Sequence, residues 1–276
     1  MGAQLAKKIR SRLASLTLLE IAAGVAVGAV AIPALAADMP TKAPPPIAAP
    51  VYNWTGFYIG AHAGYRWADA DFTAAAYSFN PGTGTVNIPA RNENYNLNGG
   101  IVGLQVGYNY QFAPNWLIGI EGDWSWGRES ANQSATITGI DASSDAFTLR
   151  RNSEVELTWQ ATIRGRVGYV NGPWMIYGTG GVAFARIEWT DSTTLNTTPP
   201  PTVTTASWSN DKTLTGWVAG AGFEYMFNPN WIARVEYLYE SFGDFTVPHG
   251  FGPQYGTLDL SHIQKVRVGI NYKFAR

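Results

Sequence analysis

Apolar and polar positions alternate with a period of two through most of the chain beyond residue 52. Phe57, Ile59, Ala61, Ala63 and Tyr65 fall on one face, and Tyr58, Gly60, His62, Gly64 and Arg66 on the other. Such alternation predicts β-strands rather than helices. It recurs from Val102 to Phe112 and from Trp116 to Trp126. In the fourth strand Leu157, Trp159, Ala161 and Ile163 oppose Glu156, Thr158, Gln160, Arg164 and Arg166. It continues from Trp217 to Phe227, from Trp231 to Tyr239 and from Val266 to Phe274. A fifth strand, Trp174 to Thr190, has blurred parity at Gly180-Gly181, and Arg186 and Glu188 are assigned to its charged face.

A phrase punctuates these strands: Asn53-Trp54, Phe112-Ala-Pro-Asn-Trp116, Asn171-Gly-Pro-Trp174 and Phe227-Asn-Pro-Asn-Trp231, with Trp intervals of 62, 58 and 57 residues. Pro, Asn and Gly suit tight turns, and each interval holds an outgoing strand, a long connection and a returning strand. Four hairpins give eight strands. Turns of about three residues lie at one end, against connections spanning 68–98, 127–154, 191–214 and 243–261 at the other.

Before this region, Lys7, Lys8, Arg10 and Arg12 precede a mainly apolar stretch from Leu13 to Ile32 and the small-residue site Ala34-Leu-Ala36. Residues 1–36 read as a cleaved signal peptide. Residues 37–52, with Pro40, Pro44, Pro45, Pro46 and Pro50, read as an extended periplasmic linker. Residues 53–276 form the barrel.

Volume decides which face points outward. An eight-stranded barrel has an interior just wide enough for side chains, and the apolar face carries too many Trp, Tyr and Phe to fit. The charged face carries repeated Gly, which suits a crowded lumen. The fold class is therefore an all-β, eight-stranded antiparallel transmembrane β-barrel with short periplasmic turns and long external loops. Two interfacial aromatic girdles follow: Trp116, Trp174, Trp231, Phe227, Tyr272 and Phe274 at the short-turn end, and Trp124, Trp126, Trp159 and Trp217 toward the other.

Composition adds exclusions. The 276 residues contain no Cys, 30 Gly, and 19 basic against 20 acidic groups. Disulfides, thiol catalysis and Cys-ligated zinc are absent, and balanced charge argues against nucleic acid. Charges on the lumen parity include Glu121, Asp123, Glu156, Glu188, Glu224, Glu236 and Glu240 against Arg66, Arg164, Arg166, Arg186, Arg234, Lys265, Arg267 and Lys273. Isolated buried charges are costly, so a paired network across neighbouring strands is expected. The alternative is an ion path lined by the same groups.

The histidines His62, His249 and His262 define no metal or haem site, and no cofactor is expected. Ser261-His262 near Asp259 is a sequence juxtaposition without triad geometry, so the chain reads as non-enzymatic. Loop charges, among them Glu129 and Asp191, read as a solvated surface. Arg150-Arg151 are candidates for lipid-phosphate contact.

The motifs Asn53-Trp-Thr-Gly-Phe-Tyr-Ile-Gly60, 99–110 (GGIVGLQVGYNY), Tyr177-Gly-Thr-Gly-Gly181 and Val266-Arg-Val-Gly-Ile-Asn-Tyr-Lys-Phe274 resemble the OmpA-like, porin-family outer-membrane immunogenic proteins of alphaproteobacteria. The resemblance spans about 52–274. It implies an eight-stranded barrel in the Gram-negative outer membrane with exposed variable loops. The expected work is structural: supporting the envelope and presenting surface loops around a lumen plugged by ion pairs. Alternatives are a small, weakly conducting porin and a surface adhesin or haem-binding protein. Expected partners are outer-membrane lipid and lipopolysaccharide, the barrel-assembly machinery, and host or phage ligands; a monomer is expected.

Overall fold

The computed structural model describes residues 52–80, 85–140, 145–198, 201–249 and 254–274. The expected signal peptide and all but the last residue of the linker lie outside them.

Eight long strands close a ring: β1 (Gly56–Ala74), β5 (Gly99–Ala113), β6 (Trp116–Ile140), β7 (Ala146–Asn171), β8 (Trp174–Thr198), β9 (Thr202–Asn228), β10 (Trp231–Ser241) and β12 (Gln254–Lys273). Every neighbouring pair is antiparallel, and β12 pairs back onto β1, from Tyr58 opposite Lys273 to Thr73 opposite Thr257. Four shorter strands sit among the external connections. β4 (Arg91–Asn96) adds to the outer part of β1, β11 (Asp244–His249) adds to β12, and β2 (Tyr77–Phe79) pairs with β3 (Val86–Ile88).

Turns at the other end are tight. Between β7 and β8, Asn171 pairs with Trp174, and Gly172 adopts a φ of 59°, where a side chain would be strained. Close approach sets other glycines: a Cβ on Gly181 would lie 2.0 Å from the Ile163 carbonyl oxygen, so only a bare backbone fits there.

Two sequence expectations are corrected. The connections expected at 127–154 and 191–214 are mostly strand: β6 and β7 stay paired out to Ile140 and Ala146, and β8 and β9 to Thr197 and Thr202. Their Thr, Val and Ile content favours the extended chain. In addition, β7 contains a bulge, since Leu157 pairs with Ile187 and Trp159 with Arg186, leaving Thr158 extra. A bulge shifts the phase of alternation. Beyond it Val155 and Leu157 point inward, and Glu156 points outward.

The phase shift coincides with an inversion of polarity. Through the girdled part of the wall the outside is apolar, with Phe57, Val106, Ile120, Ile163 and Val268 exposed, and the inside is charged. Beyond Trp126 and Trp159 the inside becomes apolar: Phe72, Tyr95, Leu157, Ala183, Ala185, Ile187, Trp189, Leu214, Phe245 and Leu258 belong to one buried cluster. The barrel stands clear of lipid there and obeys the ordinary rule of apolar core and polar surface. That explains why Arg186 and Glu188, assigned to the lumen by their charge, point outward.

Candidate functional site: the barrel lumen

Alternation aims residues from five strands at the middle of the lumen, where four arginines meet four acids. Arg164 contacts Glu121 at 2.5 Å, Asp123 at 2.9 Å and Glu236 at 2.9 Å. Arg234 forks onto both oxygens of Glu121, at 2.7 and 3.0 Å, and reaches Glu236 at 2.7 Å. Arg267 holds Asp123 at 2.8 Å and Glu236 at 2.6 Å, while Arg166 holds Glu224 at 2.8 Å. All eight are buried. Bidentate guanidinium–carboxylate forks are the strong form of charged hydrogen bond, and the multiple contacts offset the cost of desolvation.

Two tyrosines join this layer. Tyr58 donates its hydroxyl to Glu121 at 2.6 Å and Tyr177 donates to Glu236 at 2.8 Å; the Arg166 guanidinium lies 4.9 Å and 5.0 Å from their ring centres. Parity assigned Tyr58 to the charged face, but nothing in the sequence marked either phenol as a partner of the network.

Lys265 pairs with Glu240 at 2.7 Å, apart from the central eight. Arg66 pairs with Glu129, which the sequence placed in a solvated loop, and donates to Gln160 at 2.8 Å. His62 lies between Gln105 and Ser125, inside the polar lumen. Glu156 is not in the network: the bulge turns it outward, where it meets exposed Arg128 at 2.6 Å. Arg186 likewise faces outward and pairs with Asp211 at 2.7 Å.

Apolar layers lie on either side. At the short-turn end Trp54 is fully buried among Leu117, Val170, Met175, Tyr177, Met226 and Ile232. Its indole N–H donates to the Gly172 carbonyl at 3.2 Å, and Lys273 Nζ donates to the Asn53 carbonyl at 2.6 Å. The residue therefore points into the barrel at its short-turn mouth, although its phrase matches those of the girdle tryptophans. At the other end the β2–β3 ribbon packs Val86 and Ile88 against Phe147, Leu149 and Leu195.

The girdle residues all lie on the outer wall. Trp116 meets Tyr169 at 5.5 Å, Trp174 meets Tyr225 at 4.3 Å, Trp231 meets Tyr272 at 5.2 Å, and Tyr272 meets Phe274 at 5.3 Å; Phe227 is exposed beside them. Toward the long-strand end, Trp124 stacks on Trp159 at 4.4 Å, Trp126 lies 6.3 Å from Trp124, and Trp217 lies 5.5 Å from Tyr239.

These features fix the family. The outer membrane protein beta-barrel domain family matches residues 22–274. The chain belongs to that family. The 31 kDa outer-membrane immunogenic protein of Brucella melitensis is 34% identical over 262 residues, covering 87% of this chain and 93% of that protein. The 25 kDa outer-membrane immunogenic protein of Brucella abortus is 29% identical, covering 87% and 91%. Among solved structures, OprG of Pseudomonas aeruginosa covers 80% of this chain and 97% of its own, with 14% identity and a TM-score of 0.42. The protein is thus an outer-membrane β-barrel related to alphaproteobacterial immunogenic proteins.

The remaining candidates separate. Ser261 donates to Asp259, while His262 points outward against the Tyr239 ring. His249 is buried between Phe72 and Tyr77, where burial, then the nearby Arg91, holds its pKa below the usual histidine value. Arg150 faces solvent nine positions beyond Trp159, roughly 30 Å along the strand, too far from the girdle to touch headgroups. Arg151 points inward and holds Asp191 at 2.6 Å.

Proposed function

We propose that this barrel is a structural, non-conducting outer-membrane protein that supports the envelope and displays its external hairpins. The observation that carries the reading is the lumen's layering: a buried network of four arginines and four acids between the Trp54 stopper and an apolar outer core. An ion crossing it has to break several charge-assisted bonds at once, and the wider aqueous channels belong to barrels of more strands. The chain takes no part in catalysis. It reaches the membrane by a cleaved signal peptide over residues 1–36 and the barrel-assembly machinery, acts as a monomer, and meets lipopolysaccharide and host or phage ligands at its outer end. Planar-bilayer recording of purified, refolded protein tests the central point. Silent membranes are expected; stable channels in every preparation would overturn the proposal in favour of a small porin.

A further inference from the structure

Buried polar groups without partners are rare, and each calls for an explanation. Among the described residues four such atoms belong to three residues around one small cavity near the outer end: Arg91 Nη1 and Nη2, Arg151 Nη2 and Thr193 Oγ1. The cavity is largely enclosed, holds ≈ 20 Å³, and is lined otherwise by Tyr77, Ile88, Ala135, Ile137 and Leu149. It joins six elements, since Tyr77 lies on β2, Ile88 on β3, Arg91 on β4, Ala135 and Ile137 on β6, Leu149 and Arg151 on β7 and Thr193 on β8.

The two guanidiniums are forced together. Arg91 and Arg151 lie 5.0 Å and 5.7 Å from the centre of the same Phe72 ring. Glu93 Oε1 contacts Arg151 at 3.0 Å but lies 3.8 Å from Arg91, beyond hydrogen-bond reach. Arg151 spends its Nε on Asp191 and its Nη1 on Glu93, leaving Nη2 free. Three of the four orphans are therefore cationic N–H donors, and the fourth is a hydroxyl able to donate.

We propose that this cavity is a binding site for a single small inorganic anion of the halide class. Its volume exceeds the 10–15 Å³ that one water-sized guest needs, which suits a monatomic guest. A water accepts from two donors and brings two hydrogens of its own, whereas a halide accepts from all the orphans. The apolar walls lower the local dielectric and strengthen its attraction to the guanidiniums. Bound there, the ion clips β4 and the β2–β3 ribbon to the β7–β8 wall.

The test uses the full mature barrel, refolded, with limited proteolysis of its external end in sodium chloride and in sodium gluconate of equal ionic strength. A folded control is the heat-modifiable gel shift. At chloride twice its dissociation constant, the half-life is expected to rise about threefold, following 1 + [Cl⁻]/Kd. Arg91→Gln and the near-isosteric Thr193→Val are expected to abolish the difference, Thr193→Val serving if Arg91→Gln misfolds. Crystals grown in bromide are expected to show an anomalous peak between Arg91 and Arg151. Equal half-lives in the two salts, a chloride effect that survives in folded variants, or a bromide map without that peak would each overturn the proposal.

Discussion

Replacing Arg164 by Met takes one guanidinium from the point where three carboxylates converge. Removing one partner of a buried ion pair costs about 3–5 kcal/mol. Here the lower end applies, because Arg166 and Arg234 still hold Glu121, and Arg267 still holds Asp123 and Glu236. What remains is one uncompensated negative charge among buried side chains. A loss of about 3 kcal/mol, at an m-value of about 2 kcal/mol/M, lowers the urea midpoint by about 1.5 M. The assay is urea unfolding of the refolded barrel, followed by its gel shift. Arg186→Met is the matched control: it removes a guanidinium paired with Asp211 on the exposed outer wall, where a pair contributes about 0–1 kcal/mol. Arg164→Met combined with Glu236→Gln restores the balance of charge and is expected to recover part of the loss. Equal midpoint shifts for Arg164→Met and Arg186→Met would refute the idea that the buried network is mutually dependent.

Trp54→Ala empties the short-turn mouth and is expected to cost about 3–5 kcal/mol, read as a lower unfolding midpoint. Gly181→Ala drives a Cβ into the backbone of β7 and should sharply cut refolding yield, whereas Gly178→Ala, with nothing within 4 Å of the added carbon, should refold normally. His249 is held below its ordinary pKa, so the unfolded chain takes up a proton that the folded one refuses as pH falls below about 6.5. Stability of the outer end is therefore lost on acidification from there toward the folded pKa, and proteolysis should quicken at pH 5 in the native protein but not in His249→Phe. Single cysteines placed at Ser134 or Thr205 should react with an impermeant maleimide on whole cells, and one at Asn230 should not.

Within the membrane the sequence was legible because lipid imposes one rule on every strand. Apolar side chains at Val102, Ile118, Ile163 and Val268 could only face outward, and that fixed the parity of Asp123, Arg164 and Arg267. Beyond the girdle the rule reverses, so the parity at Arg186 and Glu188 was misread from their charge. The bulge at Thr158 was invisible for a different reason: it removes no hydrophobic residue but slips the count by one, moving Glu156 out and Leu157 in. A signal was present nonetheless, in the inward series Ala183, Ala185, Ile187 and Trp189. Trp54 was hidden by resemblance, since its Asn-Trp phrase matches those of the girdle tryptophans.

The long paired extensions of β6 through β9 carry the barrel wall far beyond the girdle. From Trp159 to Ala146, β7 rises roughly 40 Å along its length, or about 30 Å above the girdle at a tilt of about 40°. The described part of these extensions is thus a hydrogen-bonded continuation of the sheet. Determinants on its walls are assembled from residues on different strands, such as Thr136, Arg150 and Thr194 side by side. A binding partner for such a surface would have to read the assembled sheet, and short linear peptides copied from a single strand would make poor substitutes for it.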